Sequence, residues 1–205
     1  MNSPASKNLV ASVSQVSLAA REKRNRHRGC VLWFTGLSAA GKSTIANGLE
    51  AALFAHGCQT FVLDGDRVRN GLCSDLDFSE KGRHENIRRV GEVARLFAEA
   101  GFICIAAFIS PYRADRQLVR AMAGDRFVEV FVNAPLKVCE ARDPKGHYAK
   151  ARALQIKNFT GVSAPYEPPL NPEIEVRTDK LSADEAVGKI LRHMQKNFGV
   201  RRRKP

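Results

Sequence analysis

Five apolar runs rich in β-branched and aromatic residues punctuate the chain: CVLWFTG (30–36), TFVLDG (60–65), ICIAAFIS (103–110), FVEVFVNAP (127–135) and EIEVRT (173–178). Most run on without polar alternation, the pattern of strands buried on both faces. Helical patterns lie between them. The clearest is RHENIRRVGEVARLFAEA (83–100), where Ile87, Val90, Ala94 and Phe97 form one stripe, Arg88, Arg89, Glu92, Arg95 and Glu99 lie off it, and Gly101 ends it. This alternation predicts an α/β fold: a three-layer sandwich with a mostly parallel five-stranded sheet and helices on both faces. The Pro-rich APYEPPLNP (164–172) suits neither a helix nor a central strand and reads as a surface connection before the last strand.

Between the first strand and the first long helix lies GLSAAGKST (36–44), which fits G-x-x-x-x-G-K-[ST] in the strand-loop-helix context that motif requires. The sandwich is therefore expected to be of the P-loop NTPase type. Gly36, Leu37, Ser38, Ala39, Ala40, Gly41, Lys42, Ser43 and Thr44 form the expected ATP-binding loop. Its backbone N–H groups and the helix N-terminus cradle phosphates, Lys42 reaches the β/γ oxygens, and the Ser43 hydroxyl ligates Mg²⁺. Such a loop identifies the phosphate donor and leaves the acceptor open.

Candidates for the acceptor side lie at later strand ends. In LDGDRVRNGL, Asp64 and Asp66 flank Gly65, so one carboxylate can serve the metal shell while the other takes the acceptor hydroxyl's proton; a helix cap or turn is the plainer reading of the same residues. Arg83 and Asn86, three apart, share a helix face where a guanidinium can fork onto an anion and an amide can meet a sugar hydroxyl. Ile109 and Ser110 end the third strand before Pro111. The segment 141–161 is rich in Arg142, Lys145, Lys150, Arg152 and Lys157, as either an amphipathic surface helix or a basic lid closing on phosphates. No N-K-x-D segment for guanine is present, so a small-molecule kinase leads over a GTPase.

Composition narrows the class further. At 205 residues and 44% hydrophobic, the chain has enough for one sizeable core, and 26% charged residues make an ordinary soluble surface. No run approaches the ~18 apolar residues of a membrane span, and the start has neither a secretory pattern nor the arginines of a transit peptide, so a cytoplasmic location is expected. Five scattered cysteines without a C-x-x-C pair read as reduced thiols. Of the net charge of +12, residues 1–28 carry +5 and RRRKP +4, leaving +3 for the middle. The charge thus reads as basic ends rather than a nucleic-acid surface. The expected organisation is a basic, flexible extension (1–26), a kinase domain (27–198) and a basic tail (199–205).

Together HRGCVLWFTGLSAAGKST, LDGDRVRNGLCSDLDFS, ENIRRVGEVARLFAEAG, AFISPYRADR, CEARDPKGHYAKARA and NFTGVSAPYE closely resemble the adenylylsulfate kinases, over about residues 27–195. That family phosphorylates adenosine 5′-phosphosulfate (APS) at its ribose 3′-hydroxyl. Departures are slight: Ala39-Ala40 where the family usually has Gly-Ser, and His147 where it often has Leu. The resemblance implies that Phe78 and Phe159 sandwich the APS adenine, that Arg69, Arg83 and Asn86 hold the phosphosulfate and sugar with Ile109 alongside, and that Lys145 adds charge from the lid. It further implies that Arg142 lies near ATP, that Asp66 meets the ribose hydroxyl, and that Asp64 joins the Mg²⁺ shell. Ser110 occupies the family's catalytic position, traditionally a phosphorylated intermediate; in-line transfer between ATP and acceptor favours a positioning role instead. A homodimer, and functional coupling to a sulfate adenylyltransferase, are also expected from the resemblance.

Overall fold

The computed structural model describes residues 14–201. In chain order its elements are α1 (Leu18–Asn25), β1 (Cys30–Thr35), α2 (Lys42–Ala55), β2 (Thr60–Asp64), α3 (Gly65–Arg69), α4 (Glu80–Glu99), β3 (Ile103–Ala107), α5 (Arg113–Ala123), β4 (Phe127–Asn133), α6 (Leu136–Arg142), α7 (His147–Arg152), β5 (Ile174–Arg177) and α8 (Ala183–Asn197). The five strands form one sheet in the order β2-β3-β1-β4-β5, with every pairing parallel. The mostly parallel sheet expected from the sequence is thus wholly parallel among the described residues.

Because side chains alternate across a strand, β1 feeds two cores. Leu32 and Phe34 join Ile45, Leu49 and Leu53 of α2 and Ile190 and Met194 of α8. Val31 and Trp33 face the other way, onto Ile87, Val90 and Ala94 of α4 and Val119 of α5. All six residues of β1 are buried, which is why the run shows no polar alternation. Helix α4 begins at Glu80, three residues before the helical pattern expected over 83–100, because Ser79 caps it by accepting from the Gly82 N–H.

Three sequence expectations change. The third strand, expected over 103–110, stops at Ala107, and Ser110 beyond it takes a left-handed φ of 38°. The described part of the basic segment 1–26 is not a separate extension: α1 is tied down by Asn25 Nδ2 donating to Gly101 O (2.9 Å) and by Glu22, which accepts from Gly29 N (2.9 Å) and pairs with Arg126. At the other end Val200, expected in the tail, is buried with the core. Residues 1–13 and 202–205, the rest of both basic ends, lie outside the described residues.

Candidate active site

The parallel sheet brings the C-terminal ends of β1, β2, β3 and β4 to one edge, and the candidate residues follow them. The phosphate loop leaves β1 at Gly36, whose φ is 152° and where an added Cβ would lie 2.3 Å from Val132 O. Only glycine fits that passage beside β4. At the far end Gly41, with φ 100°, is the N-cap of α2. Three carbonyls between them are held from outside the loop. Ser38 O accepts from the Tyr148 hydroxyl (3.1 Å), Ala39 O from Arg142 Nη1 (3.5 Å) and Ala40 O from Thr178 Oγ1 (2.8 Å). A trans peptide points its C=O and N–H in opposite directions, so anchoring these carbonyls orients the N–H groups of the same peptides. The result is a backbone nest at the positive end of a 14-residue helix.

Lys42 is buried, with Nζ donating to Gly36 O (3.0 Å) and Leu37 O (2.7 Å). Burial pushes its pKa down to about 8, against a weaker opposing pull from Cys139 and Asp64. Ser43 Oγ donates to Asp64 Oδ2 at 2.9 Å, joining the start of α2 to the end of β2. Asp64 also caps α3, its Oδ1 accepting from the Asp66 N–H at 3.0 Å. The turn reading and the metal-shell reading of Asp64 are therefore compatible, since one oxygen serves each. Asp66 pairs with Lys145, which lies between α6 and α7, so the basic segment reaches across to the second strand end. Arg142 is anchored on Thr178, by Nη2 to the carbonyl (2.6 Å) and Nη1 to Oγ1 (3.1 Å).

On the acceptor side, Phe78 is 60% exposed, with the Arg69 guanidinium 4.2 Å above its ring. Phe159 is only 9% exposed and meets Tyr148 edge-on at 5.0 Å. One residue connects the two. Arg83 donates through Nε to Phe78 O (3.0 Å), through Nη1 to Thr160 Oγ1 (2.6 Å) and through Nη2 to Asn158 O. Its fork therefore spans from Phe78 to both neighbours of Phe159. Burial lowers the pKa of both Arg69 and Arg83, and Arg83 adds to the effect on Arg69, so two cations crowd a partly desolvated spot. Asn86, one turn on, is 3% exposed, and its Oδ1 has no hydrogen-bond partner among the described residues.

Ile109 and Ser110 sit over the end of β1. Thr35 Oγ1 donates to Ile109 O (2.8 Å), and Arg116 Nη1 donates to Ser110 O (2.7 Å). The Ser110 hydroxyl, in a residue 2% exposed, accepts from Trp33 Nε1 at 3.1 Å. Among the described residues no hydrogen bond links Ser110 to Lys42, Asp64 or Asp66. The Pro-rich connection 164–172 is likewise fastened here: Tyr166 bonds Thr35 (3.1 Å), and Glu167 O accepts from Arg116 Nη2 (2.7 Å). Sequence reasoning did not single out Trp33, Arg116, Tyr148, Tyr166 or Thr178. Each reads locally as core, surface helix or loop, and nothing in local spacing signals a bond made across the fold.

A phosphate nest with a buried lysine, a hydroxyl-carboxylate pair joining the start of α2 to the end of β2, and a basic segment whose Lys145 reaches Asp66 define a P-loop phosphotransferase of the α/β class. A family model described as adenylylsulphate kinase matches residues 28–177. A curated adenylyl-sulfate kinase of Marinobacter nauticus is 54% identical over 190 residues, 92% of this chain and 95% of its own. The solved APS kinase of Mycobacterium tuberculosis, in complex with AMPPNP and APS, is 44% identical with a TM-score of 0.78, over 82% of this chain and 98% of that one. A hexameric APS kinase from Thiobacillus denitrificans is 34% identical with a TM-score of 0.67, over 90% of this chain and 33% of that longer chain. The chain belongs to the adenylylsulphate kinase family.

Proposed function

We infer that the chain transfers the γ-phosphate of ATP to the ribose 3′-hydroxyl of APS, giving ADP and 3′-phosphoadenosine 5′-phosphosulfate, the activation step of sulfate assimilation. The observation that carries the acceptor assignment is the Arg83 fork, which ties Phe78 to the residues flanking Phe159 beside a second cation, Arg69. Two aromatic rings joined through one guanidinium, with a second guanidinium over the Phe78 ring, suit a flat base bearing an anionic anhydride. The test is an ADP-release assay with APS, gluconate, adenosine or water as acceptor. Release that depends on APS alone is expected; equal release with another acceptor sinks the assignment.

The nest and Lys42 hold the β and γ phosphates, and Arg142 holds the nucleotide end of ATP from its anchor on Thr178. The residues present fit Mg²⁺: the Ser43 hydroxyl and Asp64 carboxylate, 2.9 Å apart, are hard oxygen donors of the kind that share a magnesium with nucleotide phosphates. When bound, the ion neutralises charge on the β and γ oxygens. Asp66, in the first turn of α3 with Lys145 as its partner, accepts the proton of the attacking 3′-hydroxyl. Arg69, Arg83 and Asn86 hold the phosphosulfate and sugar, with Ile109 alongside and Lys145 adding charge from the lid. Ser110 positions the acceptor: a buried hydroxyl already engaged by an indole N–H is poorly placed to carry a phosphoryl group.

No helix among the described residues is long and apolar enough to cross a membrane. We take the enzyme to be cytoplasmic, which fractionation of tagged cells checks. The family and the hexameric relative support an oligomer; we take it to be a homodimer, which light scattering tests by mass. Functional coupling to a sulfate adenylyltransferase supplying APS is tested by mixing the two enzymes and measuring whether APS escapes to solution.

A further inference from the structure

Tyr148 touches both halves of the site without belonging to either set of expected ligands. It lies in α7, is 2% exposed, and its backbone N–H is fixed by Asp143 Oδ2 at 3.0 Å. Its hydroxyl donates to Ser38 O, in the loop that holds the donor phosphates, while its ring meets Phe159, on the acceptor side, with centroids 5.0 Å apart and planes at 81°. The Ser38–Ala39 peptide it grips leads into Ala39, whose φ of 58° lies in the left-handed region disfavoured for alanine. That peptide therefore has a reason to relax, and the Tyr148 hydroxyl opposes it by holding the carbonyl.

We propose that Tyr148 is a positioning residue that couples the two substrate sites, so that filling the phosphate loop orders Phe159 for APS and filling the APS platform orders the loop for nucleotide. This rests on the reading of Phe159 as a platform for APS. The physical chain is short. Movement of the Ser38–Ala39 peptide on binding phosphate shifts the hydroxyl that holds it, and a rigid ring transmits that shift to the face it packs on. Because coupling between two binding events is reciprocal, the factor by which nucleotide tightens APS must equal the factor by which APS tightens nucleotide.

The experiment is calorimetric titration of the full chain with AMPPNP and with APS, each alone and each in the presence of the other. In the unaltered chain each ligand is expected to tighten the other about fivefold or more, the lower range of measured couplings. In Tyr148→Phe, which keeps the ring and loses the hydroxyl, the coupling factor is expected to fall to within about twofold of unity. The factor is a ratio, so a general loss of affinity or stability cancels from it. Phe159→Leu, altered at the other end of the same path, is expected to lower it too and serves if Tyr148→Phe does not fold. Coupling that survives in either folded variant overturns the proposal, as does an unaltered chain that binds both ligands independently. Failure of APS to bind the unaltered chain at all is a different result, and overturns the functional reading beneath it.

Discussion

The indole Nε1–H of Trp33 donates to the hydroxyl of Ser110 at 3.1 Å, joining the middle of the central strand to the loop that follows its neighbour. Ser110 holds this place at a φ of 38° directly before Pro111, a position where extended backbone is the norm. Strain of this kind persists only where surrounding bonds fix it, here through Trp33, Thr35 and Arg116. Ser110→Ala should therefore cost stability, about 1–3 kcal/mol for the orphaned indole N–H, while leaving kcat within about tenfold. Substantial turnover in the folded variant rules out an obligatory phosphoserine; turnover reduced to background would defeat a role limited to positioning.

Arg83 makes three hydrogen bonds across the acceptor side, so its loss should be felt there selectively. Charge-assisted bonds contribute about 1.5–3 kcal/mol each, and Arg83→Gln is expected to raise the KM for APS by about 10–100-fold. The KM for ATP should stay within about twofold. Steady-state kinetics with each substrate varied checks the split, and a matching rise for both substrates would place Arg83 elsewhere in the mechanism.

Burial lowers the Lys42 pKa to about 8 from 10.5. A depressed lysine loses its charge as pH rises through that value, so ATP affinity of the free protein should be flat below pH 8 and weaken by up to about tenfold per unit above it. Stability responds with the opposite sign. Between about 8 and 10.5 the unfolded chain binds the proton more tightly, so this group adds stability as pH rises. Nucleotide titrations from pH 6.5 to 9.5 read the first effect, and Lys42→Met should abolish its pH dependence.

Ala39 occupies a left-handed position (φ 58°) where the family usually has glycine. An L-residue there costs about 1–2 kcal/mol, partly offset by the greater unfolded-state entropy of glycine, on the order of 0.4–1 kcal/mol. Ala39→Gly should thus raise Tm by about 1–4 °C in a domain of this size. A lower melting temperature would mean that the loop carries no relievable strain.

The basic ends offer a further check. Deleting 1–13 and 202–205 should leave APS-dependent turnover within about twofold, since the described bonds of α1 and the buried Val200 belong to residues that remain. Deleting 1–26 also removes Glu22 and Asn25, with their bonds to Gly29, Arg126 and Gly101, and should lower Tm on the order of 5–10 °C. Equal melting points for the two truncations would show that α1 contributes nothing.

By itself the sequence determined the layered α/β architecture, all five strands and the phosphate loop, because each is written in local patterns: apolar runs, helical stripes and glycines at fixed spacing. It also brought forward Asp64, Asp66, Arg83, Asn86, Ser110, Arg142 and Lys145 as chemistry at strand and helix ends. Only the tertiary structure decided what these side chains bind. Asp64 meets Ser43 from 21 residues away, and Lys145 meets Asp66 from 79. Arg83 donates to Phe78, Asn158 and Thr160, bonds across the acceptor side that its helical spacing does not announce. The residues that aim the loop, Tyr148 and Thr178, were invisible for the same reason: their partners are backbone carbonyls 110 and 138 positions away. Local pattern records which face of an element is buried; a hydrogen bond between distant elements leaves no period in the chain and exists only once the sheet has brought their ends together.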